Sequence, residues 1–101
     1  MKAKKLIVTA AEYSSGNIEE TSYEFPVYEF QNGLILVVSQ DTNDLFYEDR
    51  ESIKANGYAQ VTEIVETETV SGWDLFDLQR AIRASLAEFG SVPAKALAML
   101  G

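Results

Sequence analysis

Carboxylates are the main side chains in this chain that could carry out chemistry. The sequence contains no histidine and no cysteine, so it lacks the commonest general base, the commonest metal ligand and any thiol nucleophile. The densest carboxylate group is Asp41, Asp44, Glu48 and Asp49. Its spacing does not follow the calcium-loop pattern, because Leu45 stands where a ligand is needed and no glycine follows. We therefore expect no metal site and no cofactor.

Two further patterns bear on catalysis. A carboxylate pair can act as acid and nucleophile in a glycosidase, but that reaction needs a cleft that a domain of 101 residues seldom provides. The Asn32-Gly33 and Asn56-Gly57 dipeptides are turn signals and do not form a glycine-rich phosphate loop. The sequence predicts a protein that is not an enzyme.

The charges are segregated along the chain, which has a net charge of −8. Nine acidic residues and no basic residue lie between Leu6 and Asp49, and five acidic residues and no basic residue lie between Ala55 and Gln79. Alternate carboxylates on one face of a strand, such as Glu66 and Glu68, lie about 6.6 Å apart, a spacing similar to that of successive phosphates. A surface that only keeps the protein soluble is the alternative interpretation. We predict a partner with a basic surface and no direct binding to nucleic acid.

Aromatic residues are the second candidate for binding, because interface cores favour tyrosine, tryptophan and phenylalanine. Most such residues are ordinary core residues instead. The predicted partner-binding set combines the charge mimics with one tyrosine: Asp41, Asp44, Asp49, Glu63, Glu66, Glu68 and Tyr28.

Together these patterns predict a small acidic protein-interaction module. In its concrete form it is an inhibitor, of the kind that viruses and other mobile elements use, whose carboxylates compete for a basic nucleic-acid-binding site. The alternative is a homodimeric structural or accessory subunit that associates through a Tyr/Phe sheet face. A carboxylate-based enzyme is a distant third interpretation.

Several elements must position these residues. The Asn32-Gly33 dipeptide predicts a hairpin between Tyr23 and Gln40. If its loop has two residues, Tyr28 pairs with Val37 and shares a face with Ile35, whereas a three-residue loop swaps the faces of one arm. Leu34 to Val38 is apolar at every position, which predicts a central strand covered on both faces. Pro26 favours an edge strand for the first arm, or a bulge at that position.

The remaining periodicity completes an α+β domain spanning residues 1–101. Its further predicted elements are a strand Leu6–Tyr13, a surface helix Asp44–Asn56, a strand Tyr58–Val70 with a bend or a projecting end near 66–69, a helix 73–89 capped by Ser71, and a short helix Pro93–Leu100. The predicted order is β-β-β-α-β-α-α: a mainly antiparallel four-stranded sheet with the helix 73–89 on one face. The apolar N-terminal segment is too short for a secretory signal and no run suits a membrane helix, so we expect a cytoplasmic protein.

Overall fold

A computed structural model describes residues 1–13, 20–38, 44–56 and 59–101. It has the predicted α+β class, built on one antiparallel sheet. The strands are β1 Ala3–Tyr13, β2 Glu20–Glu29, β3 Ile35–Val37, β4 Leu45–Tyr47, β5 Ala55–Asn56 and β6 Ala59–Val70; a 3₁₀ turn spans Glu51–Ile53, and the helices are α1 Leu75–Phe89 and α2 Ala94–Ala98. The strand order in the sheet is β4-β3-β2-β1-β6-β5. None of the helices in these ranges is long and apolar enough to cross a membrane.

The predicted helix Asp44–Asn56 is wrong, and with it the count of four strands. Leu45–Tyr47 instead forms β4, in which Phe46 pairs with Leu36 and is buried. Bulky aromatic and branched residues favour a strand, and burial against β3 outweighs the local capping signals. The helical structure in 44–56 is limited to the 3₁₀ turn Glu51–Ile53. At this turn the Asp49 carboxylate accepts hydrogen bonds from the Ser52 N–H at 2.9 Å and from the Ser52 hydroxyl at 3.0 Å.

The hairpin between β2 and β3 has a three-residue loop, so the register predicted for a two-residue loop is wrong. Tyr28 pairs with Leu36 and Val27 with Val37. Gly33 has φ +88°, and its N–H donates to the Phe30 carbonyl at 2.9 Å. In this loop type a type I turn is followed by a single left-handed residue, so only the glycine needs a positive φ.

The sheet has two differently covered faces. The helix face packs against α1, whose buried Leu78 and Ile82 meet Phe30, Leu36 and Phe46 from the sheet. The connector face is covered by residues 48–54, which we call the connector. Because β4 and β5 lie at opposite edges of the sheet, the connector crosses this face, and its Ile53 packs into a cluster formed by Leu6, Val8, Val27 and Ile35.

Strand β3 is buried on both faces, as predicted, since Ile35 faces the connector and Leu36 faces α1. It lies second from an edge, however, and β1 and β2 occupy the centre. In the described ranges β3 pairs with β2 only from Val27 to Glu29. Strand β2 is an interior strand, so the edge position predicted from Pro26 is wrong. Pro26 lies just outside the described β2–β3 pairs, which suits a residue that cannot donate to a ladder.

Helix α1 begins two residues later than predicted. Its N-cap is Asp74, whose carboxylate accepts from the Phe76 N–H at 2.8 Å, and the predicted cap Ser71 lies outside it. It ends, as predicted, at Gly90 in the left-handed conformation. Trp73, just before the cap, packs its ring edge-on against Tyr28 and Phe30, with centroids 5.0 and 5.6 Å apart.

Candidate functional site

Part of the helix face lies beyond α1 and forms the candidate site. Side chains that pair directly across neighbouring strands point to the same face. The register of β1 with β2 and β6 therefore builds two adjacent rows across three strands. We call this surface the open face; its rows are Glu24–Thr9–Glu63 and Pro26–Ile7–Val65.

The open face has an apolar row beside an acidic row. Val65 is 44% exposed, Pro26 is exposed and Ile7 is half-buried. Glu24 and Glu63 are both exposed, and neither forms an ion pair with a residue in the described ranges. With strands about 4.8 Å apart, the Cα atoms of these two glutamates lie about 10 Å from each other.

The open face ends where α1 begins. The next row towards the helix is Tyr28–Lys5–Glu68, in which Lys5 Nζ lies 4.0 Å from a Glu68 carboxylate oxygen. Tyr28 contacts Trp73 and is half-buried. Of the predicted residues, Glu63 and Glu68 thus lie on or next to the open face, and Tyr28 lies at the boundary with the helix.

Two β-bulges in β6 decide which face each glutamate occupies. The register with β1 skips Thr62 and Thr67, and each threonine hydroxyl donates to a β1 carbonyl: Thr62 to Thr9 at 3.3 Å and Thr67 to Lys5 at 2.9 Å. The second bulge lies in the segment for which the sequence predicted a bend. It places Glu66 opposite Leu6 and Glu68 opposite Lys5, on different faces of the sheet. The predicted spacing of Glu66 and Glu68 along one face is therefore wrong.

Glu66 takes part in an ion-pair network on the connector face. Arg50, in the connector, donates to both carboxylate oxygens of Glu29 at 2.7 and 2.8 Å and to Glu66 at 2.6 Å, and Lys4 Nζ lies 3.6 Å from the same Glu66 oxygen. The Arg50 hydrogen bonds lower the pKa of Glu29 and of Glu66 and raise the pKa of Arg50. Three strand residues and the connector are joined here, so the network holds the connector on the sheet.

The other predicted carboxylates lie away from the open face. Asp49 caps the 3₁₀ turn, and the hydrogen bonds from Ser52 lower the pKa of its carboxyl. Asp44 is half-buried directly before β4. Asp41 lies outside the described residues. The described members of the predicted set are thus dispersed: Glu63 lies on the open face, Glu68 and Tyr28 lie beside it, and Glu66, Asp49 and Asp44 lie elsewhere.

Glu24 belongs to the site but was not among the predicted residues. It has the same parity along β2 as Pro26 and Tyr28, which indicates a shared face. Its position beside Glu63 arises only because both residues pair with Thr9. The sequence predicts which residues of one strand share a face, because side chains alternate between the two faces. It does not predict how β1, β2 and β6 pair with each other.

Within the described ranges no group of three or more Asp and Glu residues is arranged to hold a metal ion. No protein-family model matches the chain, and no curated protein or solved structure is significantly similar to it.

Proposed function

We propose that this protein is a non-enzymatic interaction module whose open face binds a partner with a basic surface. One observation supports the proposal: two carboxylates without a counter-ion in the described ranges lie beside a partly exposed apolar row on a three-stranded surface. Interfaces commonly combine an apolar centre that loses water with a polar rim that sets orientation. Pro26, Ile7 and Val65 supply the centre, and Glu24 and Glu63 supply the rim.

The charges favour a partner rich in lysine or arginine. Complementary charges mainly raise the association rate and exclude wrong partners, so binding should weaken as salt screens them. A partner that normally holds nucleic acid presents such a basic groove. We therefore propose competition with nucleic acid as the specific form, with Glu24, Glu63 and Glu68 as the mimicking carboxylates and Glu66 as part of the fold.

Affinity capture from extracts of the cells in which the protein occurs tests this. The bait is wild type, the double variant Glu24→Gln/Glu63→Gln, or the control Glu51→Gln/Glu88→Gln, which removes the same charge from exposed sites elsewhere. Captures are made at about 0.05 M salt, where surface charges are weakly screened, and at about 0.5 M salt, where they are strongly screened.

We expect wild type and the control to retain the same partner at low salt, and the Glu24/Glu63 variant to lose it. High salt and added duplex DNA should each release the partner from wild type. Equal capture by the Glu24/Glu63 variant, or capture insensitive to both salt and DNA, would refute the proposal.

A further inference from the structure

Helix α1 carries the one aromatic and basic surface that is prominent among the described residues. Its solvent side presents Phe76, Arg80, Arg83 and Ala87, which we call the α1 ridge. Phe76 is 60% exposed, and the Arg80 guanidinium lies 5.1 Å from its ring centroid. Arg80 has one distant ion pair, with Asp77 at 3.8 Å, and Arg83 has none with any described residue.

The α1 ridge matches the open face in charge and in spacing. Phe76 and Arg80 are four residues apart on the helix, a rise of about 6 Å. The apolar and acidic rows of the open face are two residues apart along their strands, about 6.6 Å. A Phe76 ring over the row Pro26–Ile7–Val65 therefore brings Arg80 and Arg83 beside Glu24 and Glu63. The sheet is about 10 Å wide between β2 and β6, close to the diameter of one helix.

The two surfaces of one molecule do not meet. Helix α1 is packed on the other end of the same sheet face through Leu78 and Ile82, and its ridge points to solvent. Contact must therefore be between copies. A symmetric contact of two open faces would place four carboxylates against each other, whereas ridge against open face pairs opposite charges.

We propose that a second copy of this chain occupies the open face with its α1 ridge, in a head-to-tail contact. The inference rests on the proposed function in using the open face as a binding surface. Such a contact does not close on itself by symmetry, so association continues to longer chains or a ring as concentration rises. Its consequence is self-occlusion: at high concentration copies cover the face that binds the basic partner, and dilution exposes it.

Sedimentation equilibrium of the purified protein tests this. For wild type at about 0.15 M salt, where the long-range repulsion between copies of net charge −8 is largely screened, the average mass should rise with concentration, and at about 0.5 M salt it should fall towards the monomer. Two variants each remove the charges of one surface: Glu24→Gln/Glu63→Gln alters the open face, and Arg80→Gln/Arg83→Gln alters the α1 ridge. Each variant should associate about tenfold more weakly than wild type. The control Glu51→Gln/Glu88→Gln should behave as wild type.

Mixing the two variants is the decisive step. The Glu24→Gln/Glu63→Gln variant retains an intact α1 ridge, and the Arg80→Gln/Arg83→Gln variant retains an intact open face. An equimolar mixture should therefore form a heterodimer and nothing larger. A mixture no larger than the separate variants, or a wild type that stays monomeric at every concentration, would overturn the inference. A monomeric wild type whose partner capture depends on Glu24 and Glu63 overturns self-association alone. Self-association through these residues with unchanged partner capture overturns the proposed function alone.

Discussion

Replacing Arg50 by alanine tests how the connector is held on the sheet. The guanidinium joins the connector to Glu29 on β2 and Glu66 on β6, two strands separated by β1. Without the guanidinium, Ile53 is the buried connector side chain that still packs against the sheet. It also leaves the Glu29 side chain, only 15% exposed, without its cationic partner.

The expected loss follows from the two hydrogen bonds to Glu29. A hydrogen bond to a charged group contributes about 1.5–3 kcal/mol. The Arg50 side chain is 36% exposed, so solvent screening reduces that contribution. An unpaired carboxylate in a partly buried site adds a desolvation cost. We expect Arg50→Ala to lower the free energy of unfolding by about 2 kcal/mol, a large part of the roughly 5–15 kcal/mol typical of a domain.

Urea unfolding followed by tryptophan fluorescence measures this loss. Trp73 is the sole tryptophan and packs against Tyr28 and Phe30, so its emission reports the core. With a slope of about 1.5 kcal/mol per molar urea, the midpoint should fall by about 1.3 M. The matched control is Lys54→Ala, whose ion pair with Glu51 is 50% and 78% exposed; it should change stability by less than about 0.5 kcal/mol.

The effect of Arg50 also depends on pH in a defined direction. Arg50 lowers the pKa of Glu29 below its ordinary value, so the folded state binds the proton less tightly than the unfolded state. The resulting stabilisation is present above the ordinary pKa of the carboxyl and is lost as pH falls through the lowered pKa. The difference in free energy of unfolding between wild type and Arg50→Ala should therefore decrease as the pH becomes acidic. Equal midpoints at neutral pH, or a gap that widens in acid, would refute the reasoning.

Three further substitutions test local elements by the same unfolding measurement. Gly33→Ala should cost about 1–2 kcal/mol, because φ is +88°, a conformation that residues with a Cβ rarely adopt; the nearest side-chain atom, Lys95 Nζ, can move aside. A stability equal to wild type would contradict the loop geometry. Thr67→Val removes the hydroxyl that donates to the Lys5 carbonyl at the second bulge and should lower the free energy of unfolding by about 1 kcal/mol, whereas Thr69→Val should lower it less. Equal losses in the two variants would show that this hydrogen bond does not stabilise the bulge. Asp74→Ala removes the α1 cap and should cost about 1 kcal/mol, most of it restored by asparagine; an unchanged midpoint would exclude a capping role.

The sequence predicted the elements better than their pairing. Asn32-Gly33 located the hairpin, but two-residue and three-residue loops share that signal, so it did not set the register. The segment Asp44–Asn56 offered good helix caps, yet burying Phe46 beside Leu36 gains more than a short surface helix with few apolar residues. In this second case long-range packing outweighed a local preference.

The candidate site was less accessible to sequence reasoning than the fold. Charge segregation directed attention to the carboxylates of β6, two of which, Glu63 and Glu68, lie on or next to the open face. One inserted residue, Thr67, turns Glu66 and Glu68 to opposite faces, and a bulge of this kind has no reliable sequence signal. Glu24 and Glu63 are separated by about forty positions in the chain, and only their common pairing with Thr9 brings them together. Single-sequence patterns describe one strand at a time and do not contain that register.

The central claim is that the open face receives a basic partner. Its most direct test is an NMR titration of isotope-labelled protein with an oligo-arginine peptide, the simplest probe of such a partner. We predict that the largest amide shifts lie at Ile7, Thr9, Glu24, Glu63 and Val65, and that Glu24→Gln/Glu63→Gln abolishes them. Largest shifts on the connector or on α1, unchanged in that variant, would contradict the claim.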